Sequence, residues 1–254
     1  MNNFPNSNST YNSFFAQHYD FFYTTKKPYQ QEAQNLISLF KQQRLTVEKP
    51  ILDIGCGTGE HALHIARQGY VVKGIDISPH MIRQAQEKQG TLQNVHFQCQ
   101  SVEKEQGTYS YAYALFNVIN CLSDETALKA FFEAVANALQ HNGIFVFDCW
   151  HTKAILATPP RYLEDDISFP TEIVRRKVTP SFSPETLECV LTYQYAFKKG
   201  TEEVIHHIRL FKEETILTLL ADCGFKLVAS MGPLSECRSL LEADRYSTYV
   251  VQKC

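Results

Sequence analysis

With 254 residues, 44% apolar and 20% charged, the chain has the make-up of an ordinary globular protein, with room for one large domain or a core carrying an elaboration. A formal net charge of -3 offers no general attraction to polyphosphate, which disfavours a large nucleic-acid partner. No apolar stretch approaches a membrane span, and the opening MNNFPNSNST has neither a basic n-region nor an apolar h-region, so a cytoplasmic location away from membranes is expected.

In chain order, residues 1–12 are Asn/Ser-rich and are expected to form a disordered tail. Two helical patterns follow, SFFAQHYDFFY and YQQEAQNLISLFKQQ. A strand is predicted over Ile51 to Ile54, apolar except for Asp53, and it runs into Gly55-Cys56-Gly57-Thr58-Gly59. Glycines at alternate positions let the backbone turn sharply and approach a ligand where a Cβ would collide. Ala62, Leu63, Ile65 and Ala66 stand at core spacing on the next helix, which Gly69 stops. A second strand, Tyr70 to Ile75, delivers Asp76 at its carboxyl end, where a carboxylate can accept both hydroxyls of a ribose.

Further on, Ser78-Pro79 caps a helix through Lys88, and strands are predicted over Val95 to Gln100 and Tyr111 to Asn117. Ser123 to Leu139 is a long amphipathic helix ended by Asn142-Gly143, and Ile144 to Cys149 is a fifth strand. This alternation implies a parallel sheet with right-handed crossovers. After Trp150 the period changes: Thr171 to Val178, Leu187 to Phe197 and Glu202 to Leu210 look like antiparallel strands in an insertion spanning 151–210. A helix over Lys212 to Cys223 and strands over Phe225 to Ser230 and Ser247 to Gln252 close the pattern. None of the eight cysteines has C-x-x-C spacing, and most fall in apolar patterns as reduced core thiols do.

The glycine turn departs from the nicotinamide fingerprint, whose third glycine is replaced here by Glu60. A carboxylate there, with Asp53 just before the turn, is a poor neighbour for a pyrophosphate and suits a phosphate-free cofactor with a cationic amino-acid end. The pattern hh-Asp-h-Gly-x-Gly-x-Gly resembles motif I of class I S-adenosylmethionine-dependent methyltransferases. ALFNVINCL, NGIFVFDCWH and VIHHIRLFKEETILTLLADCGF resemble later segments of small-molecule enzymes of that superfamily. FAQHYDFFYTTKKPYQQE resembles the N-terminal lid of glycine/sarcosine-type and aminosugar N-methyltransferases.

The resemblance implies an α/β fold: a seven-stranded Rossmann-like sheet with a C-terminal antiparallel hairpin strand, a β-rich insertion after strand five, and a helical lid over 13–45 within a domain spanning 13–254. It implies S-adenosylmethionine as cofactor. Asp53, Gly55, Cys56, Gly57 and Gly59 would border its methionine part; Asp76 would hold the ribose; Ile77, Met81, Gln100, Ser101 and Val102 would surround the adenine. Tyr19, Tyr23 and Phe116 would approach the sulfonium, where an aromatic face can meet a cation. Gln100 stands where the family commonly has Asp, so an adenine amino group would meet an amide oxygen.

Asn117 falls at the methyl-transfer site, and His206 and His151 are candidate general bases for an amine or hydroxyl acceptor. Tyr29, Trp150 and Arg209 are candidate substrate contacts; Lys26 and Lys27 could receive an anionic group. Asn117 lacks the Pro-Pro-Tyr of adenine and glutamine N-methyltransferases, and no Pro-Cys pair supplies a cytosine-attacking thiolate. Cys121 is read as a core residue. No metal is expected, because Asp124 and Glu125 read as helix N-terminal charges.

The leading expectation is methyl transfer to N or O of a small metabolite such as an aminosugar or amino acid. A nicotinamide oxidoreductase and a non-catalytic cofactor-binding protein on the same scaffold stay as alternatives, and a homodimer stays open.

Overall fold

The computed structural model describes residues 11–23, 26–43, 49–169 and 172–254. Its order is α1 (Ser13–Tyr23), α2 (Tyr29–Gln42), β1 (Ile51–Ile54), α3 (Glu60–Ala66), β2 (Val72–Asp76), α4 (Pro79–Gln89), β3 (Val95–Cys99), β4 (Tyr109–Ala114), α5 (Glu125–Ala138) and β5 (Leu139–Trp150). Then come α6 (Thr152–Ala157), β6 (Leu163–Ser168), β7 (Ile173–Ser183), β8 (Glu188–Phe197), β9 (Gly200–Arg209), α7 (Glu213–Asp222), β10 (Phe225–Met231) and β11 (Tyr246–Lys253). Short 3₁₀ turns at Val102–Lys104 and Val118–Cys121 follow β3 and β4.

The helix starts obey local chemistry. Ser78 accepts from the Met81 N–H and Pro79 occupies the first turn of α4; Asp124 accepts from the Ala127 N–H at 2.9 Å to cap α5. Asn12 likewise accepts from the Phe15 N–H at 2.9 Å. Of the expected disordered tail, the first ten residues lie outside the described residues, whereas Tyr11 and Asn12 are structured and lead into α1. Residues 44 and 45, at the far end of the expected lid, also lie outside the described residues.

The main sheet has the order β10-β11-β5-β4-β1-β2-β3. Pairings from β3 to β5 are parallel, while β11 is antiparallel to both β5 and β10, which is the expected hairpin strand. One face carries α5 and α7 over Phe132, Phe145, Phe147 and Tyr249; the other carries α2, α3 and α4 over Leu36, Phe40, Ile65 and Val146. Burying each such side chain contributes about 1.5–3 kcal/mol, so both faces are held by packing.

The insertion forms a separate antiparallel sheet, β6-β7-β8-β9, with four strands where the sequence suggested three. The additional strand, LEDDIS, buries only Ile167 and has no apolar alternation to betray it. Its neighbours pack on α1: Phe22 stacks on Tyr195 at 4.2 Å, and Phe15, Val174 and Val204 complete that cluster. The helix α1 and the insertion sheet therefore form one apolar layer.

Candidate active site

At the first β-to-α turn, Gly55 and Gly59 have φ of +71° and +83°, a region costly for residues bearing a Cβ. Space is also short: a Cβ on Gly55 would lie 2.7 Å from a Val118 methyl, and one on Gly59 would lie 2.6 Å from the Phe97 ring. Asp76 is pinned at the end of β2. One carboxylate oxygen accepts from the Gly57 N–H at 2.9 Å and the other from the Ser78 N–H at 2.8 Å. Burial raises its pKa, and the two amide bonds oppose that rise. Each oxygen keeps lone-pair capacity on the side of a cavity of about 200 Å³.

Ten of the predicted cofactor residues line this cavity: Tyr19, Gly55, Gly57, Asp76, Ile77, Met81, Gln100, Ser101, Val102 and Phe116. The Gln100 amide nitrogen donates to Glu105, which leaves the amide oxygen as the part of this side chain able to accept. Cys121 also lines the cavity, exposed, with its sulfur 3.6 Å from the Tyr11 hydroxyl, so the reading of it as core does not hold. Tyr11, another wall residue, fell inside the expected tail and had no motif to mark it.

Asp53, Cys56, Gly59 and Tyr23 do not line the cavity. Asp53 is 3% exposed beneath the turn, and burial pushes its carboxyl up to about 8. Gly59 packs on Phe97, and burial raises the Cys56 thiol. Tyr23 meets the edge of Phe116 with ring centroids 5.1 Å apart. Glu60 also points elsewhere: it pairs with Lys88 at 2.6 Å, which neutralises the charge on which the argument against a pyrophosphate partly rested.

The presumed tip of strand four is a turn, because β4 stops at Ala114 and the next residues break from it. Phe116 and Asn117 both have left-handed backbones, φ +71° and +65°. The Asn117 N–H donates to Asp148 at 2.7 Å, and its side-chain oxygen is buried without a partner. Lys27 lies 4.5 Å over the Phe116 ring and pairs with Glu32 at 2.8 Å, and Glu32 meets His61 at 2.7 Å. Burial alone would raise Glu32, but His61 and Lys27 outweigh it and the net shift is downward. Tyr29 stands in this buried layer, edge-on to His61 at 4.9 Å, its hydroxyl unpartnered. Tyr29, Asn117 and Lys27 do not themselves line the cavity, whereas Phe116, under Lys27, does.

The remaining predicted residues are dispersed. His206 lies among the rings of Tyr11, Phe15 and Tyr193 with centroids 5.0–5.7 Å away; burial lowers its pKa to about 4. Its Nε2 has no partner. His151 bonds through Nδ1 to the Asp244 carbonyl at 2.9 Å, and with Trp150 it lines a second cavity of about 210 Å³ instead of the first. Arg209 pairs with Glu188 at 2.9 Å. Lys26 pairs with Asp165 at 2.7 Å. The sequence reading also missed Asn120, 1% exposed, which accepts from the Trp150 N–H and donates to the Arg209 carbonyl. Among the described residues, no group of three or more His, Cys, Asp or Glu is placed to hold a metal ion, and no helix is long and apolar enough to cross a membrane.

A seven-stranded sheet with one antiparallel strand, a glycine turn and a strand-end acid on one cavity together define the fold of S-adenosylmethionine-dependent methyltransferases. Residues 51–143 match the family described as a methyltransferase domain, whose cofactor is S-adenosylmethionine. The chain is 32% identical over 146 residues to a protein of Geobacillus sp. (strain WCH70) named as a methyltransferase, a match covering 56% of this chain and 58% of that one. An S-adenosylmethionine-dependent methyltransferase from Clostridium acetobutylicum ATCC 824 superposes with a TM-score of 0.81 at 19% identity, covering 94% of this chain and 98% of that one. So does the amino pentose methyltransferase CalS10 from Micromonospora echinaspora, solved with S-adenosylmethionine bound, at a TM-score of 0.72 and 18% identity over 95% and 97% of the two chains.

Proposed function

We propose that the chain transfers the methyl group of S-adenosylmethionine to a nitrogen or oxygen of a small metabolite, with aminosugars and amino acids as the first classes to test. The observation that carries this is the cavity itself: Asp76 is fixed by two backbone amides beside a left-handed glycine turn, and the lid residues Tyr11 and Tyr19 form part of the wall. The fold likeness to an amino pentose methyltransferase supports a small acceptor.

Bound S-adenosylmethionine supplies a methyl group already activated on a sulfonium. What remains for the protein is alignment, which supplies about 7–11 kcal/mol where two reactants are well oriented, and exclusion of water. Asp76 would accept the ribose hydroxyls, and the Gln100 oxygen the adenine amino group. Phe116, flanked by Tyr19 and Tyr23, would close the transfer end against water and offer an aromatic face to the cation. His206, the base suggested by the sequence, does not line the cavity, and burial lowers its pKa to about 4, which makes it a weak proton acceptor, so the proton an amine or hydroxyl must lose is not assigned to it.

Thermal melting with S-adenosylhomocysteine and with NAD separates this reading from a nicotinamide enzyme. Stabilisation by the first alone is expected, and the opposite result sinks the proposal. Mass spectrometry of aminosugar and amino-acid panels, incubated with methyl-labelled cofactor, then identifies the acceptor.

A further inference from the structure

Asp148 is the one charged residue among the buried positions of β5, 7% exposed between Phe147 and Cys149. A carboxylate inside a sheet is costly unless something bonds it. Across the ladder its partner is Thr248, but the Thr248 hydroxyl donates to the Gly232 carbonyl. Burial raises the Asp148 pKa; the nearby charge of Lys27 opposes that rise, and so does the turn after β4, where the Asn117 N–H donates to the carboxylate at 2.7 Å.

That turn is strained. Two consecutive residues bearing side chains hold left-handed backbones, an arrangement that persists only where surrounding contacts enforce it. Phe116 is also the ring that Lys27, Tyr19 and Tyr23 surround at the wall of the cofactor cavity.

We infer that Asp148 is the positioning residue of the transfer turn: its carboxylate holds Phe116 and Asn117 in their left-handed conformations and thereby sets the aromatic wall at the methyl end of the cavity. This inference rests on the proposed function. Asp148 works through the turn and Phe116, without touching the reacting atoms itself.

The test is calorimetric titration with S-adenosylhomocysteine of the wild type, Asp148→Asn, Asp148→Ala, Phe116→Ala and the Asp148→Ala/Phe116→Ala double variant. A wild type that does not bind removes the proposed function, whatever the variants do. With a binding wild type, Asp148→Ala and Phe116→Ala are each expected to weaken affinity about ten-fold, and the double variant to be no weaker than the worse single one, because both changes remove the same wall. Asp148→Asn retains an oxygen acceptor for the Asn117 amide and is expected within about three-fold of wild type. Asp148→Ala binding like wild type, effects that multiply in the double variant, or Asp148→Asn as weak as Asp148→Ala would each overturn the inference. Should Asp148→Ala not fold by circular dichroism, adding Asn117→Gly, which tolerates a positive φ, is expected to restore folding and binding; a chain still unfolded would show that the carboxylate serves the core instead of the turn.

Discussion

Asp76 has two tasks that one substitution separates. Its carboxylate orders the glycine turn through the Gly57 and Ser78 amides while its free lone pairs face the cavity. Asp76→Ala is expected to lower S-adenosylhomocysteine affinity by about 100-fold, since hydrogen bonds to a charged acceptor are worth about 1.5–3 kcal/mol each. Stability should also fall by about 1–3 kcal/mol, because two part-buried amides lose their partner. Unchanged affinity in a titration would take Asp76 out of the site. His206 makes a prediction in pH. Its folded pKa of about 4 lies below the ordinary 6.5, so the unfolded chain takes up the proton first as pH falls. The stability present above pH 6.5 is therefore lost between 6.5 and 4, by at most about 3 kcal/mol. His206→Phe should flatten that window in urea unfolding at pH 7 and pH 4.5, and equal losses in the two proteins would show that the imidazole is not the cause.

Elements signalled by local composition were legible. The glycine turn, Asp76 at the end of β2, the Ser78-Pro79 and Asp124 helix starts and the apolar faces of α3 and α5 all follow from periodicity or caps that act within a few residues. What escaped was long-range or unpatterned. β6 is an exposed, charged edge strand, and α6 is a helix of six residues. Glu32, His61 and Lys27 look like surface charges until the lid and α3 bring them together, and Asp148 looks like a stray acid in an apolar strand. Trp150 and His151 stand at the end of β5 as Phe116 follows β4, yet they line a different cavity from Phe116. The lid has its own latch: Asp20 accepts from the Thr58 hydroxyl and from Lys88, both at 2.7 Å. Because that latch is partly exposed, Asp20→Ala should cost no more than about 1 kcal/mol of stability. It should nevertheless release S-adenosylhomocysteine several-fold faster in stopped-flow displacement, roughly the rate change that 1 kcal/mol allows. An unchanged release rate would mean that α1 is not the gate.

At the scale of the molecule, one buried polar contact between the insertion sheet and the core is made by Asn120, 1% exposed. It ties the turn after β4 to the end of β5 and to the end of β9 at once. Asn120→Ala leaves two backbone groups unpartnered and is expected to cost about 2–4 kcal/mol. Hydrogen exchange should show β9 amides opening faster than those of β1 in that variant, and uniform acceleration would argue against a local clasp. The antiparallel strand β11 has a different consequence, for folding. It enters between β5 and β10 only after the insertion and α7 have intervened in the chain, so it is the most sequence-distant pairing of the main sheet. Local hairpins of the insertion can close early, while the apolar edge of β5 waits for a partner that arrives only after that whole intervening segment. During that interval an unpaired, unprotected strand is open to the same segment of another chain, and the docking of β11 is the step that removes this template for aggregation.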